Sequence, residues 1–478
     1  MRSGTLRLPH RSPRVGSRTA RLAPAILAIA LIAGACGNST ADSKASPTTA
    51  PASDTGVTEP GSPSGAPAEG SLATNSQEKV ALNVAGVTDT EIRVGGVASV
   101  TNILKGKYGD AFAGVKAYFD NVNSTGGIYG RKLVLVSERD DKMVSNKSEI
   151  EALISSDNVF AIMPVASLLF SGADSAVSSN VPTFGWTINP EWEGNAANPK
   201  KNLFGQTGSF LCFDCDSPFL PWLAKDTGSK KIGVIAYSVP QSSLCADGVK
   251  KSFDVYGAGA GGATIGFVDQ AISYGTTDFS VQVSKMKDAG VDLITTCMDT
   301  AAVVALAKET KKQGMAVKQY LPNGYDHEFV DEFGDLFEGS FVRTDFPQWE
   351  LPADSQPAGL KEYLAAVDKA GIEPSENSLS AWMNADLLVT GLRAVGPNFD
   401  RQKLIDAINS MTNYKANGLA KGVNWTKAHS ERGDPAESCS FLSVITGSAF
   451  SPNYSEPGKP FFCVNGSDPA NLTTFFSA

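Results

Sequence analysis

The residues from 92 to 141 constrain the fold of this chain more than any other stretch. They begin with an apolar segment at 92–97 and continue with a helical pattern at 111–123. One face of that pattern carries Phe112, Val115 and Phe119, at the spacing of a helix that buries one side. A glycine-rich turn and a second apolar segment at 133–136 follow. The stretch therefore predicts a strand–helix–strand unit, and such units build parallel sheets.

The alternation of strand and helix patterns continues along most of the chain and restarts once. A first run extends to about residue 207, and a second run extends from about residue 218 to 344. Two such runs predict an α/β protein with two lobes, each built on a doubly wound parallel sheet. Helical patterns follow between 362 and 411, and the tail has strand patterns at 441–445 and 461–464.

The N-terminal region has the pattern of an export signal. Six arginines and no acidic residue lie in the first 35 positions, and a short apolar run occupies 22–35. We therefore expect residues 1–35 to be a signal peptide. The sequence Ala33-Gly34-Ala35-Cys36 resembles a bacterial lipobox, which predicts a lipid on Cys36 and an extracytoplasmic protein anchored to the cell membrane. An ordinary signal peptide followed by a chance cysteine is the alternative.

The region after Cys36 is predicted to be a tether. Residues 36–78 are rich in Ser, Thr, Pro, Ala and Gly, and such a segment cannot bury enough apolar surface to fold. A flexible chain of this length reaches roughly 35 Å. The formal net charge is −9 and the first 35 residues contribute +6, so the remainder carries about −15. An acidic balance of this size argues against nucleic acid as a partner.

Six cysteines remain beyond Cys36, and an even number in an exported protein predicts disulfides. Fifteen connectivities are possible. Two pairs are suggested by strand positions: one could join the ends of two parallel strands, and the other could staple the strands of the tail. A third pair forms a CxxC sequence, which we interpret as a structural bridge, with a redox function as the alternative. These pairs are Cys245 with Cys297, Cys439 with Cys463, and Cys212 with Cys215.

The sequence YGDAFAGVKAYFDNVNSTGGIYGRKLVLVSERDD at 108–141 resembles the opening of the branched-chain amino-acid-binding proteins, the type I periplasmic-fold receptors of ABC importers. The resemblance implies two lobes joined by a hinge of three crossings. It divides the chain into lobe 1, from residues 79–207 and 347–410, and lobe 2, from residues 208–346 and 411–478. It also implies a small-molecule ligand and, as partners, the permease and ATPase subunits of an importer.

Candidate ligand-binding residues follow from sheet geometry, because ligands of open parallel sheets bind outside the carboxyl ends of the strands. In two facing lobes those ends line one cleft. Lobe 1 offers Tyr108, Ala166, Ser167, Trp186 and Thr187. Lobe 2 offers Tyr237, Met298, Asp299, Tyr325 and Asp326.

The resemblance adds a partial match to the site of the family. Tyr108 stands where the family has a site tyrosine, but Cys245 stands where it has a second one. The acidic partner of the ligand ammonium should lie near Asp326. An α-amino acid needs an anion for its ammonium and donors for its carboxylate, and this set is half present. We therefore expect a less zwitterionic ligand, of apolar or aromatic character.

An enzyme is not expected from the motifs of this chain. The sequence has no Walker A, GxSxG or HExxH pattern, and only His327 and His429 lie beyond the signal peptide. We therefore expect no catalytic residue, no metal site and no cofactor. The sequence predicts a monomeric solute-binding receptor of an ABC importer, for a small organic ligand that is amino-acid-like, an amide, or an aromatic or apolar compound. A surface sensor with the same fold, signalling to a membrane partner, is the alternative, and a redox protein using Cys212 and Cys215 is a third possibility.

Overall fold

The computed structural model describes residues 79–195, 197–210, 212–432 and 436–478. The predicted signal peptide, the predicted lipidation site Cys36 and the predicted tether at 36–78 lie outside these residues. Among the helices of the described part, none combines the length and the apolar character that crossing a membrane requires.

The first lobe contains a wholly parallel sheet of five strands in the order β2-β1-β3-β4-β5. Its strands are β1 (Glu91–Ala98), β2 (Lys132–Asp140), β3 (Ala161–Ala166), β4 (Thr183–Gly185) and β5 (Leu203–Gly205). Three helices connect them: α1 (Asp110–Ser124), α2 (Asn146–Ser155) and α3 (Ala173–Ser178). The first strand–helix–strand unit is β1–α1–β2, as the sequence predicts.

The second lobe contains a larger mixed sheet with the main order β14-β13-β11-β10-β9-β8-β6-β7. Its parallel part consists of β6 (Lys231–Tyr237), β7 (Thr264–Ile272), β8 (Leu293–Cys297), β9 (Lys318–Leu321) and β10 (Phe341–Thr344). The helices of this part are α4 (Phe219–Thr227), α5 (Pro240–Tyr256), α6 (Ser280–Asp288), α7 (Thr300–Lys312) and α8 (His327–Phe333).

The tail completes the second sheet with antiparallel strands, so this sheet is not wholly parallel as the sequence suggested. The strands are β11 (Glu437–Thr446), β12 (Ala449–Ser451), β13 (Phe461–Asn465) and β14 (Thr473–Ser477). Cys439 and Cys463 lie directly opposite each other in β11 and β13 and are bonded. The other two expected bridges, Cys245–Cys297 and Cys212–Cys215, are also formed.

Three further helices pack on the first lobe: α9 (Ala358–Ala370), α10 (Glu376–Val395) and α11 (Arg401–Asn409). The long helix α10 lies against α1 so closely that a Cβ added at Gly114 would stand 1.9 Å from the carbonyl oxygen of Ser378. A glycine is therefore required on α1 at this contact. The side chain of Ser375 caps α10 by accepting a hydrogen bond from the Ser378 amide, which fixes where the helix begins.

Three segments cross between the lobes; their described residues are 206–210 with 212–218, 345–357, and 410–432 with 436. The first and third run side by side, because the Ser209 amide donates to the Ala428 carbonyl at 2.9 Å. Before the third crossing reaches β11, Tyr414 and Trp425 contact the first lobe: the Tyr414 hydroxyl donates to Asp386 at 2.7 Å, and Trp425 packs edge-on against Phe204. The architecture is the expected one, two α/β lobes joined by a three-crossing hinge.

Candidate ligand-binding cleft

Tyr108 lies on the side of the first lobe that faces Asp299 and Tyr274 of the second. It follows β1 in a loop and is buried. Gly106 lies over its ring, since a Cβ there would stand 2.6 Å from a ring carbon. The loop is held in this shape by Asn102, whose side-chain amide donates to the Gly106 carbonyl at 2.9 Å. The fold of the loop therefore places the tyrosine ring at the carboxyl end of the first sheet.

Trp186 lies beside Tyr108, with ring centroids 6.0 Å apart and planes tilted by 37°. It follows the last residue of β4 and is half-buried. The neighbouring Thr187 is buried and turned toward β5, because a Cβ at Gly205 would stand 2.2 Å from the Thr187 methyl group. Of these two candidates, Trp186 faces the cleft and Thr187 packs within the lobe.

The second lobe contributes two tyrosines and a carboxylate. The rings of Tyr237, at the end of β6, and Tyr274, just after β7, have centroids 4.5 Å apart. The Tyr237 hydroxyl donates to the Asp299 carboxylate. Asp299 also caps α7, since its other oxygen accepts from the Ala301 amide at 2.9 Å. The end of β8 and the start of α7 thus hold this carboxylate in place.

Groups of the second lobe act on the pKa of Tyr108, which lies in the first lobe. Burial raises the pKa of Tyr108, and the Asp299 carboxylate and Tyr274 across the cleft raise it further. Burial and the hydrogen bond to Asp299 raise the pKa of Tyr237, and Tyr108 contributes. All these hydroxyls are therefore protonated at neutral pH. An ion pair between Lys107 and Glu328 also joins the lobes at the rim.

A second carboxylate lies near the same opening. Glu376 is the first residue of α10 and is half-buried. Burial, together with Asp345 of the second crossing and Asp326 of the other lobe, raises its pKa to about 8. The Glu376 carboxylate also adds to the pKa shift of Tyr108. Glu376 is therefore more readily protonated than an ordinary glutamate.

Ala166 and Ser167, at the end of β3, lie inside the first lobe. Ala166 is fully buried. The Ser167 hydroxyl accepts from the Asn146 side-chain amide at 3.2 Å, and the same amide donates to Asp141 at 3.0 Å. Ser167 is therefore engaged in a buried polar network beneath the cleft.

The remaining candidates of the second lobe are dispersed. Met298 is buried among apolar side chains of that lobe. Tyr325 packs against Trp349 of the second crossing, with centroids 4.5 Å apart, and its hydroxyl donates to Glu350 at 2.7 Å. Asp326 is exposed and caps α8. The structure thus brings together Tyr108, Trp186, Tyr237 and Asp299 of the ten candidates.

Two cleft residues were missed from the sequence. Tyr274 lies two residues beyond the end of β7, so the rule about strand ends identifies it only when that strand is extended to its observed end at Ile272. Glu376 has no such signal, because it is brought to the opening by the packing of α10 on α1.

Comparisons with known proteins agree with this architecture. The family model described as periplasmic binding protein matches residues 91–447. The Leu/Ile/Val-binding protein homolog 8 of Brucella abortus is 25% identical over 343 residues, covering 67% of this chain and 80% of the relative.

Solved structures show the same fold at lower identity. The isoleucine-bound substrate-binding protein LivJ from Streptococcus pneumoniae has a TM-score of 0.61 and 15% identity, covering 76% of this chain and 98% of its own. A fatty acid ABC transporter substrate-binding protein from Thermomonospora curvata has a TM-score of 0.62 and 19% identity, with 81% and 96% covered. A benzoate-bound solute-binding protein from R. palustris has a TM-score of 0.58 and 16% identity, with 76% and 95% covered. The chain belongs to the periplasmic binding protein family, the solute-binding proteins of ABC transporters.

Proposed function

We propose that this protein is an extracytoplasmic receptor that closes its two lobes around a small organic solute and presents it to an ABC importer. The observation that carries the proposal is the meeting of Tyr108 from lobe 1 with Tyr237, Tyr274 and Asp299 from lobe 2. Aromatic rings and one carboxylate at the carboxyl ends of facing sheets form the kind of concave, largely apolar site that binds small molecules.

The proposed mechanism is binding coupled to hinge motion. The ligand contacts residues of both lobes only when the lobes approach, so it favours the closed form by its extra affinity for that form. The Lys107–Glu328 ion pair at the rim forms in the same arrangement. It is exposed, and we expect it to contribute little beside the ligand contacts. The permease would then recognise the closed form.

Ligand-dependent stabilisation tests this function. A panel of leucine, isobutyramide, benzoate, hexanoate and choline should contain at least one compound, or close analogue, that stabilises the protein. At about 100 times its Kd, a ligand adds roughly 2.7 kcal/mol to the free energy of unfolding. Thermal unfolding measures the effect, and mass spectrometry of denatured protein detects any solute that co-purifies. Unchanged unfolding with the whole panel, together with no co-purified solute, would contradict a receptor function.

We also propose that the receptor is held on the membrane by a lipid on Cys36. The lipobox-like residues that precede Cys36 and the predicted tether that follows support this part of the proposal. Replacing Cys36 with serine is expected to move the protein from the membrane fraction to the soluble fraction of cells, because the lipid attachment atom is lost. Thermal unfolding of the released protein should be unchanged. A variant that still sediments with membranes would show that another feature anchors the chain.

A further inference from the structure

The cleft combines four aromatic rings with one carboxylate, Asp299, which accepts a hydrogen bond from the Tyr237 hydroxyl. We call Tyr108, Trp186, Tyr237 and Tyr274 the aromatic cleft. The two pairs, Tyr108 with Trp186 and Tyr237 with Tyr274, come from opposite lobes. Neither pair is stacked face to face, since the planes are tilted by 37° and 58°. Rings inclined in this way do not cover each other's faces as stacked rings would.

The electrostatic environment of the aromatic cleft is negative. Burial and Asp299 together raise the pKa of Tyr274, and Asp299 acts in the same direction on Tyr108 and Tyr237. Within the described residues, each charged group that shifts the pKa of Tyr108 or Tyr274 is a carboxylate or another tyrosine. The face of an aromatic ring is itself the negative end of a quadrupole. Rings and carboxylate therefore favour the same sign of ligand charge.

Several polar groups that could receive a ligand carboxylate, at the end of β3 and at the rim, are engaged within the protein. At the end of β3, the Leu168 amide donates to the Ser99 hydroxyl at 3.0 Å, and the Ser99 hydroxyl donates to Asp141 at 2.7 Å. The Ser167 hydroxyl belongs to the same network. At the rim, Lys107 is paired with Glu328. An anionic ligand would therefore find these groups engaged and would lie close to the Asp299 carboxylate, which is unfavourable for two like charges.

We propose that the cleft selects an organic cation, an alkylated ammonium compound, whose charged end lies between the rings of the aromatic cleft and beside Asp299. The inference rests on the proposed receptor function and adds the chemical class of its solute. A cation placed over several aromatic faces is attracted by each of them, and the carboxylate supplies the counter-charge. Two of the solved structures with the same fold carry isoleucine and benzoate. Both of these ligands have a carboxylate group, which an alkylated ammonium compound such as choline lacks.

Three probes of nearly the same shape test the role of charge. Choline is a cation, 3,3-dimethyl-1-butanol replaces its nitrogen with carbon and is neutral, and 3,3-dimethylbutanoate is an anion. We expect choline to bind at least about tenfold more tightly than the neutral probe, and the anion to bind most weakly. Isothermal titration calorimetry on the full chain measures all three. Equal affinities for the cation and the neutral probe, or tighter binding of the anion, would overturn the inference.

A substitution of Asp299 separates its charge from its structural role. Asn is also a good N-cap and can accept a hydrogen bond, so Asp299→Asn keeps the start of α7 and the Tyr237 contact. The preference for choline over the neutral probe should fall by about tenfold. The control is Asp400→Asn, because Asp400 caps α11 in the same way, accepting from the Lys403 amide at 2.8 Å. The Asp400→Asn variant should keep the wild-type preference for choline over the neutral probe. If Asp299→Asn also kept this preference, the proposed role of the Asp299 carboxylate would be wrong.

The two proposals fail in different ways. Stabilisation by leucine, isobutyramide or benzoate without any effect of choline would overturn the cation inference and leave the receptor function supported. No stabilisation by any compound, charged or neutral, would overturn both.

Discussion

Replacing Cys245 and Cys297 together with serine is expected to lower the free energy of unfolding by about 4 kcal/mol, because their bridge closes a loop across 52 residues. The bond joins α5 to the last residue of β8, directly before Met298 and Asp299. The loss should therefore also weaken ligand binding, since Asp299 would be held less firmly at the cleft. Urea unfolding of the oxidised wild type and of the double variant measures the difference in their free energies of unfolding.

The Cys212–Cys215 bridge provides a matched comparison within the same chain. It spans only three residues, so its removal should cost about 2 kcal/mol. The same number of sulfur atoms is lost in both double variants, and only the length of the closed loop and the position differ. Equal losses in the two variants would contradict loop length as the source of the difference. Free, reactive thiols at both positions in the folded wild type would contradict a structural bridge.

Strand order explains why much of the cleft could be predicted from the sequence. Tyr108, Trp186, Tyr237 and Asp299 each follow a strand whose apolar pattern is clear. In parallel sheets that position alone fixes the edge on which a residue lies. The Cys439–Cys463 bridge was predictable for a similar reason, because the strands of the tail are apolar and flank those cysteines.

Side-chain direction could not be predicted in the same way. Ser167 and Tyr325 also follow strands, but the Ser167 hydroxyl is engaged by Asn146 and the Tyr325 hydroxyl by Glu350. These partners are distant in sequence or lie in a crossing segment, so no local pattern reports them. Glu376 illustrates the opposite error, a cleft residue that the sequence did not indicate. It is brought to the opening only by the packing of α10 on α1. The mixed character of the second sheet was missed because the sequence marks the tail strands at 441–445 and 461–464 but does not show that the first of them pairs antiparallel with β10.

His429 leads to a second large effect, a loss of stability in acid. It lies in the third crossing, is buried, and packs between Phe204 and Trp425, with both centroid distances 5.3 Å. Neither ring nitrogen has a hydrogen-bond partner among the described residues. Burial, and to a smaller extent Lys201, lowers its pKa to about 4. The folded protein therefore holds this histidine neutral where the unfolded chain would protonate it.

The direction of the pH effect follows from the proton balance. The pKa of His429 in the folded state lies below the unfolded value of about 6.5. The neutral imidazole therefore adds its full contribution to the free energy of unfolding above about pH 6.5, and this contribution is lost as the pH falls toward 4. The loss should reach about 3 kcal/mol at pH 4. The free energy of unfolding of His429→Phe minus that of wild type should rise by this amount when the pH is lowered from 7.5 to 4. The reason is that a phenyl ring keeps the aromatic packing and cannot be protonated. Urea unfolding of both proteins at each pH measures the difference, and NMR titration of the His429 ring checks its pKa without a substitution.

His327 supplies the control because its sign is opposite. Its imidazole contacts Glu350 at 2.8 Å, and this hydrogen bond raises the pKa of His327. The stabilisation that protonated His327 provides is therefore complete below its pKa in the unfolded chain, and it is lost as the pH rises through its higher pKa in the folded protein. Since the side chain is half-exposed, the effect should be small. His327→Gln should thus lose stability relative to wild type in acid, whereas His429→Phe should gain it. If both variants followed the wild-type pH profile, neither histidine would be coupled to folding, and the neutral buried state of His429 would be wrong.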